Sequence, residues 1–139
     1  MTTTTMHWAA AYLGKGWRVG AAGPDLYDCW GLVRSVFEAR TGIALPPSGF
    51  DSEDLLVVMR EFRDHPERRR WRQVEAPAEL DAVLMAQARH PVHVGLWVDG
   101  SGGRVLHATH AGVVAQDRAT LRASGYQIVG IYRHESRAP

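Results

Sequence analysis

The stretch HVGLWVDGSGGRVLHAT, residues 93–109, decides the fold. Two runs rich in aliphatic residues flank DGSGG, a turn sequence, and that arrangement signals a β-hairpin. Val92, Val94, Leu96 and Val98 share one face of the first strand, an apolar set suited to packing on helices. In an antiparallel pair the numbers of opposite residues sum to a constant, and a turn centred near Ser101 sets that constant at about 202. His93 and His107 then point to the same face, as direct or diagonal neighbours within about 8 Å. Gly95, two residues on from His93, is expected to leave room for another chain or a substrate.

Outward from the hairpin, WRQVE (71–75), AVLMAQ (82–87) and YQIVGIYR (126–133) read as further short strands. DRATLRAS (117–124) reads as one short helix. The N-terminal half differs. HWAAAYLG (7–14) predicts a short helix with Trp8, Ala9 and Tyr12 on one face, and the Gly-rich GKGWRVGAAGPDL (14–26) predicts a loop. Apolar residues at 29, 32, 33, 36 and 37 mark a helix over Cys29 to Arg40, stopped by Gly42. ALPPSGF (44–50) is a loop, and DSEDLLVVMREFRDH (51–65) a further helix ending before Pro66. Helices first and an antiparallel sheet afterwards make this an α+β chain, expected to form a single domain over 1–139 with residues 1–5 disordered.

The 139 residues carry a net charge of +1, which gives no general reason to expect nucleic acid as a partner. The Arg-rich stretch from Arg60 to Arg72 reads first as a solvated surface and second as a docking surface. One cysteine excludes an internal disulfide. MTTTTMHWAA lacks a signal peptide's basic and apolar regions, and no apolar run nears the ~20 residues that span a bilayer. The expectation is synthesis in the cytoplasm without membrane insertion. The glycines of residues 14–23 match no phosphate-loop pattern. They read instead as a groove wall with Trp17 packed nearby.

The single thiol, Cys29, lies in YDCWGLV (27–33), at the predicted helix entrance. A helix N-terminus favours a thiolate through its N–H groups and dipole, and the same groups can bind an oxyanion. Asp28 acts oppositely, because a neighbouring carboxylate raises a thiol's pKa, so it reads as an N-cap or a contact for a substrate amine. Cys29 alone fits equally a small buried apolar side chain. His93 and His107 offer a base and its orienter, two structural histidines, or, with Cys29, a metal site that lacks metal-like spacing. His7, His65, His90, His110 and His134 are assigned to the surface.

YDCWGLV, HVGLWV and VLHA, in that order, resemble the NlpC-type cell-wall cysteine peptidase family. The resemblance implies a circularly permuted papain-like core with Cys29 as nucleophile, His93 as general base and His107 as orienting residue. It places Asp28 and Trp30 at the substrate pocket, needs no metal or organic cofactor, and makes the peptidoglycan stem peptide the substrate. Trp30 departs from the small Ser usual after the nucleophile, and no cell-wall-binding repeat is present. KGWRVGAAGPDLYDCWGLVR, TGIALP and the ending DRATLR…IVGIYRH resemble a subgroup encoded with phage-tail and gene-transfer-agent genes. That implies a place in a phage-like tail tip or hub, with other tail proteins as partners. The competing implication is a structural tail subunit with weak or lost peptidase activity.

Overall fold

Helix α1 (Cys29–Thr41) forms where the apolar stripe runs, and Leu32, Val33, Val36 and Phe37 are fully buried along it. Asp28 caps its start by accepting a hydrogen bond from the Gly31 amide. Gly42 ends it in the left-handed conformation, its N–H donating to the Glu38 carbonyl, as the sequence predicts. The computed structural model describes residues 7–47, 66–87, 90–100 and 102–137. The helix expected over 51–65 and the disorder expected at 1–5 lie outside the described residues.

Six strands make one antiparallel sheet: β3 (Trp71–Val74), β4 (Ala82–Gln87), β5 (His90–Val98), β6 (Arg104–Thr109), β7 (Gly112–Gln116) and β8 (Tyr126–His134), in the order β3-β8-β4-β5-β6-β7. The β5–β6 pairs are Leu96 with Leu106, Trp97 with Val105 and Val98 with Arg104, so the sum of 202 holds. Strand β7 was not legible as a strand. It is only five residues long, and its pairing with β6 through the turn after Thr109 defines it. Two short parallel strands, β1 (Gly16–Trp17) and β2 (Leu26–Tyr27), close the Gly-rich loop, and Trp8–Tyr12 forms a 3-10 turn.

The sheet has two buried faces. Val94, Leu96, Val98, Leu106 and Ala108 pack on α1 and form the main core. Met85, Val83, Trp97 and Val105 face the other way and are covered by Leu121 of α2 (Arg118–Ala123). His134, expected at the surface, is instead 3% exposed. It fits between Phe37 and Trp71, with ring centroids 5.0 and 4.9 Å away, and Nδ1 bonds the Ser136 hydroxyl, which satisfies its polarity inside the core. In the Arg-rich stretch, Arg68, Arg69, Arg70 and Arg72 are exposed.

Gly31 is where α1 touches the loop before it. A Cβ built there would lie 1.9 Å from the Ala21 carbonyl oxygen and 2.8 Å from an Asp28 carboxylate oxygen. Gly31→Ala must push the helix start away from residues 20–21. Thermal unfolding of that variant should show a loss of about 1–3 kcal/mol, the usual cost of overpacking.

Candidate functional site

The helix entrance and the two histidines meet at one end of the β5–β6 pair. Trp97 donates its N–H to the Asp81 carbonyl, and its own carbonyl accepts from Leu80. Alternation along the strand therefore turns the backbone groups of Val94 the other way, toward β6. The regular β5–β6 pairing reaches only to Leu96 and Leu106. The amides of Val94, beyond it, of Trp30 and of Cys29 itself lie near enough to the Cys29 sulfur to lower its pKa. The thiol thus rests against the strand at the residue following His93.

These three N–H groups hold the sulfur's pKa down, as a helix entrance should. They do not prevail. Burial of the sulfur, and secondarily the Asp28 carboxylate, push the thiol up to about 12. The lowering expected of the helix N-terminus is present but is outweighed by burial. The opposing effect of Asp28 has the sign the sequence suggested. The residue as a whole keeps intermediate exposure.

His93 and His107 lie on one face, as predicted: Nε2 of His93 and Nδ1 of His107 are 2.8 Å apart, with ring centroids at 5.0 Å. Burial, then the charge of His107, then that of His110, lower the His93 pKa to about 3. Burial also lowers His107, partly opposed by its bond to Gln116. At neutral pH the thiol and both imidazoles are therefore uncharged. Gly95 does not open a way for substrate. A Cβ there would lie 2.7 Å from the Leu106 carbonyl oxygen and 2.9 Å from the His107 Cβ. The missing side chain lets β6 approach, which brings His107 toward His93.

Two residues of the site escaped the sequence reading. Tyr126, at the start of β8, stacks on His93 with centroids 5.0 Å apart and stands edge-on to His107 at 5.1 Å. Its phenol is close enough to Cys29 for the thiolate charge to raise its pKa, after burial. Gln116, at the end of β7, places Oε1 2.7 Å from Nε2 of His107. Strand pairing would have found both: β8 lies beside β4, which lies beside β5, and His107 pairs with Val114, two residues from Gln116 on the same face.

Asp28 and Trp30, assigned to the pocket, are both buried, 5% and 8% exposed. The Asp28 oxygens accept from the Gly31 amide at 2.6 Å and the Gly20 amide at 2.7 Å, which ties the helix entrance to the loop. Trp30 donates from its indole to the Pro46 carbonyl at 2.8 Å and packs in the main core. Trp17 packs against exposed His110, ring centroids 4.1 Å apart and tilted by 46°, which sets an aromatic pair at the margin of the site. Among the described residues, no group of three or more His, Cys, Asp or Glu side chains is placed to hold a metal ion. No described helix is long and apolar enough to cross a membrane.

The sequence pattern of the NlpC/P60 family matches residues 14–134, which takes in the Cys29 helix, both histidine strands and Gln116. The chain belongs to the NlpC/P60 family. Solved structures agree on the fold. NlpC1 from Trichomonas vaginalis superposes with a TM-score of 0.60 at 24% identity over 91% of this chain and 41% of that one. NlpC2 from the same organism gives 0.62 at 21% identity, over 91% and 44%. A lipoprotein-like NLP/P60 family protein from Staphylococcus aureus gives 0.57 at 21% identity, over 91% and 38%. The chain spans about two fifths of the length of these structures. The α+β, papain-like architecture expected from the sequence is the one observed. No curated protein sequence matches the chain.

Proposed function

We propose that this NlpC/P60 chain is a cysteine peptidase that hydrolyses an amide bond in the peptidoglycan stem peptide. The observation that carries the reading is the approach of Cys29, at a helix entrance and beside the Val94 amide, to the His93–His107 pair bonded at 2.8 Å, with Tyr126 near the thiol and stacked on His93. The Cys29 sulfur attacks the amide carbon while its proton passes to His93. The oxyanion is stabilised by backbone N–H groups at the helix entrance. His93 gives the proton to the departing amine, leaving a thioester on Cys29. Water attacks that thioester, His93 takes the water's proton, and returning it to the sulfur restores the neutral pair as the acid leaves. His107 holds the ring of His93 and disperses its transient charge.

The finer part of the proposal is a tail-tip or hub role in a phage-like particle, opening the cell wall during entry. It rests on the resemblance of the flanking sequences. The protein would be made in the bacterial cytoplasm and incorporated into the tail beside other tail proteins. The burial that raises the thiol's pKa supports a second reading, a structural tail subunit whose site is silent.

Purified peptidoglycan incubated with the protein, followed by mass analysis of the soluble products, separates these readings. An endopeptidase releases a fragment of the stem peptide, and an amidase releases the whole stem from the sugar. Products with wild type and none with Cys29→Ala are expected. Equal products from both proteins would overturn the nucleophile, and none from either would favour the structural reading.

A further inference from the structure

We propose that Gln116 is a positioning residue: it fixes the ring protons of His107 and His93 so that Nδ1 of His93 is the nitrogen that takes the thiol's proton. The inference rests on the reading of His93 as the base. The chain of bonds begins at the Gln116 amide. The Gln116 amide nitrogen lies 3.0 Å from the Ser124 hydroxyl and 3.5 Å from the Thr120 carbonyl oxygen. A carbonyl only accepts, so the end of the amide facing Thr120 must be the donating NH2 group. The opposite orientation would set two oxygens against each other.

Oε1 of Gln116 therefore faces His107, 2.7 Å from Nε2. An amide oxygen only accepts, so Nε2 of His107 carries a hydrogen. Burial keeps His107 neutral, which leaves its Nδ1 with a lone pair. Nε2 of His93, 2.8 Å away, must donate to that lone pair. A neutral His93 protonated at Nε2 has one basic nitrogen left, Nδ1. Each bond in the series dictates the next, and the first is set by α2. Asp117 caps that helix by accepting from the Thr120 amide at 2.8 Å, and the Ser124 amide donates to the Thr120 carbonyl at 3.0 Å. Thr120 and Ser124 are thereby held where Gln116 meets them. A six-residue helix, acting through Gln116 and His107, thus determines which nitrogen is the base.

The test reads the tautomers directly. The folded protein, labelled with 15N-histidine, is compared with Gln116→Leu and Gln116→Glu by NMR of the ring nitrogens. His93→Ala and His107→Ala assign the signals. In wild type, both His93 and His107 should show a hydrogen on Nε2 and a bare Nδ1. Gln116→Leu removes the acceptor and should mix the tautomers at both rings. Its kcat on stem peptide should fall about 10–100-fold with KM little changed, part of the ~10²–10⁴ that general-base catalysis supplies. Gln116→Glu keeps an oxygen toward His107 but turns its other oxygen on the Thr120 carbonyl and brings a charge that favours a doubly protonated His107; Nδ1 of His107 then donates to His93, so the His93 hydrogen should move to Nδ1 and kcat should stay low. Ser124→Ala, at an exposed position, should shift the tautomers in the direction of Gln116→Leu without touching the strand. A hydrogen on Nδ1 of either ring in wild type, or tautomers unmoved in Gln116→Leu, would overturn the proposal. So would a Gln116→Leu enzyme with unchanged kcat. The spectra need no substrate, so a protein that cleaves no stem peptide overturns the proposed function while leaving the proton assignment standing.

Discussion

His93→Ala should lower kcat/KM for stem-peptide cleavage by about 10²–10⁴-fold, the range a general base contributes. The reason is the resting state of the pair. The thiol is held up at about 12 and the imidazole down at about 3, so no thiolate waits for substrate. The proton has to move during the attack, and an acceptor beside the sulfur is then indispensable. Cys29→Ala should abolish turnover altogether, because no thioester can form. The same shift has a stability signature. Below the unfolded pKa of about 6.5 the unfolded chain binds a proton at His93 that the folded chain refuses until about pH 3. Stability therefore falls as pH drops through that window. In thermal unfolding from pH 7 to 4, His93→Ala should lose less stability than wild type. Parallel losses in the two proteins would mean that His93 ionises normally in the fold.

The second large effect belongs to the frame. Asp81 is 1% exposed and is held by Arg133 through two bonds, Nε to Oδ1 at 2.9 Å and Nη2 to Oδ2 at 2.8 Å. The Ala78 amide also donates to Oδ2, and Arg133 reaches the Ala76 carbonyl at 3.0 Å. The pair fastens the segment before β4 to β8, and the Asp81 carbonyl receives the Trp97 amide of β5. Arg133→Met removes the guanidinium and leaves a buried carboxylate unpaired, which should cost about 3–5 kcal/mol in denaturant unfolding. Removing both charges, as Asp81→Leu with Arg133→Met, should recover most of that loss, because the penalty lies in the uncompensated charge. A single variant as stable as wild type would show that water or another group reaches Asp81.

The hairpin over 93–109 was legible because alternation and a five-residue turn fix both faces and register, and the pairing of Leu96 with Leu106 agrees with that reading. Helix α1 was legible from its stripe, its Asp28 cap and Gly42. Long-range contacts were not. Tyr126 and Gln116 reach the histidines only through strand order, and nothing near either residue in the sequence announces that order. At Gly95 the sequence left open whether backbone or substrate approaches, for the same reason: its neighbour is a strand ten residues onward rather than a ligand. The sign of the Cys29 shift turned on burial, a tertiary property that outweighs the local effect of the helix entrance. His134 shows the converse, a polar residue near the end of the chain drawn into an aromatic core by a local Ser136 partner.

The central claim is that Cys29 and His93 rest as a neutral pair and that the nucleophile forms only as the proton moves. The rate of Cys29 alkylation by iodoacetamide against pH, in wild type and His93→Ala, tests it most directly. Reaction should be slow through neutral pH, rising only beyond the ordinary thiol midpoint of ~8.5. Removing His93 should change it little, since no ion pair is lost. A fast plateau from mildly acidic pH that disappears in His93→Ala would contradict it, and would mean a thiolate and an imidazolium already formed before substrate arrives.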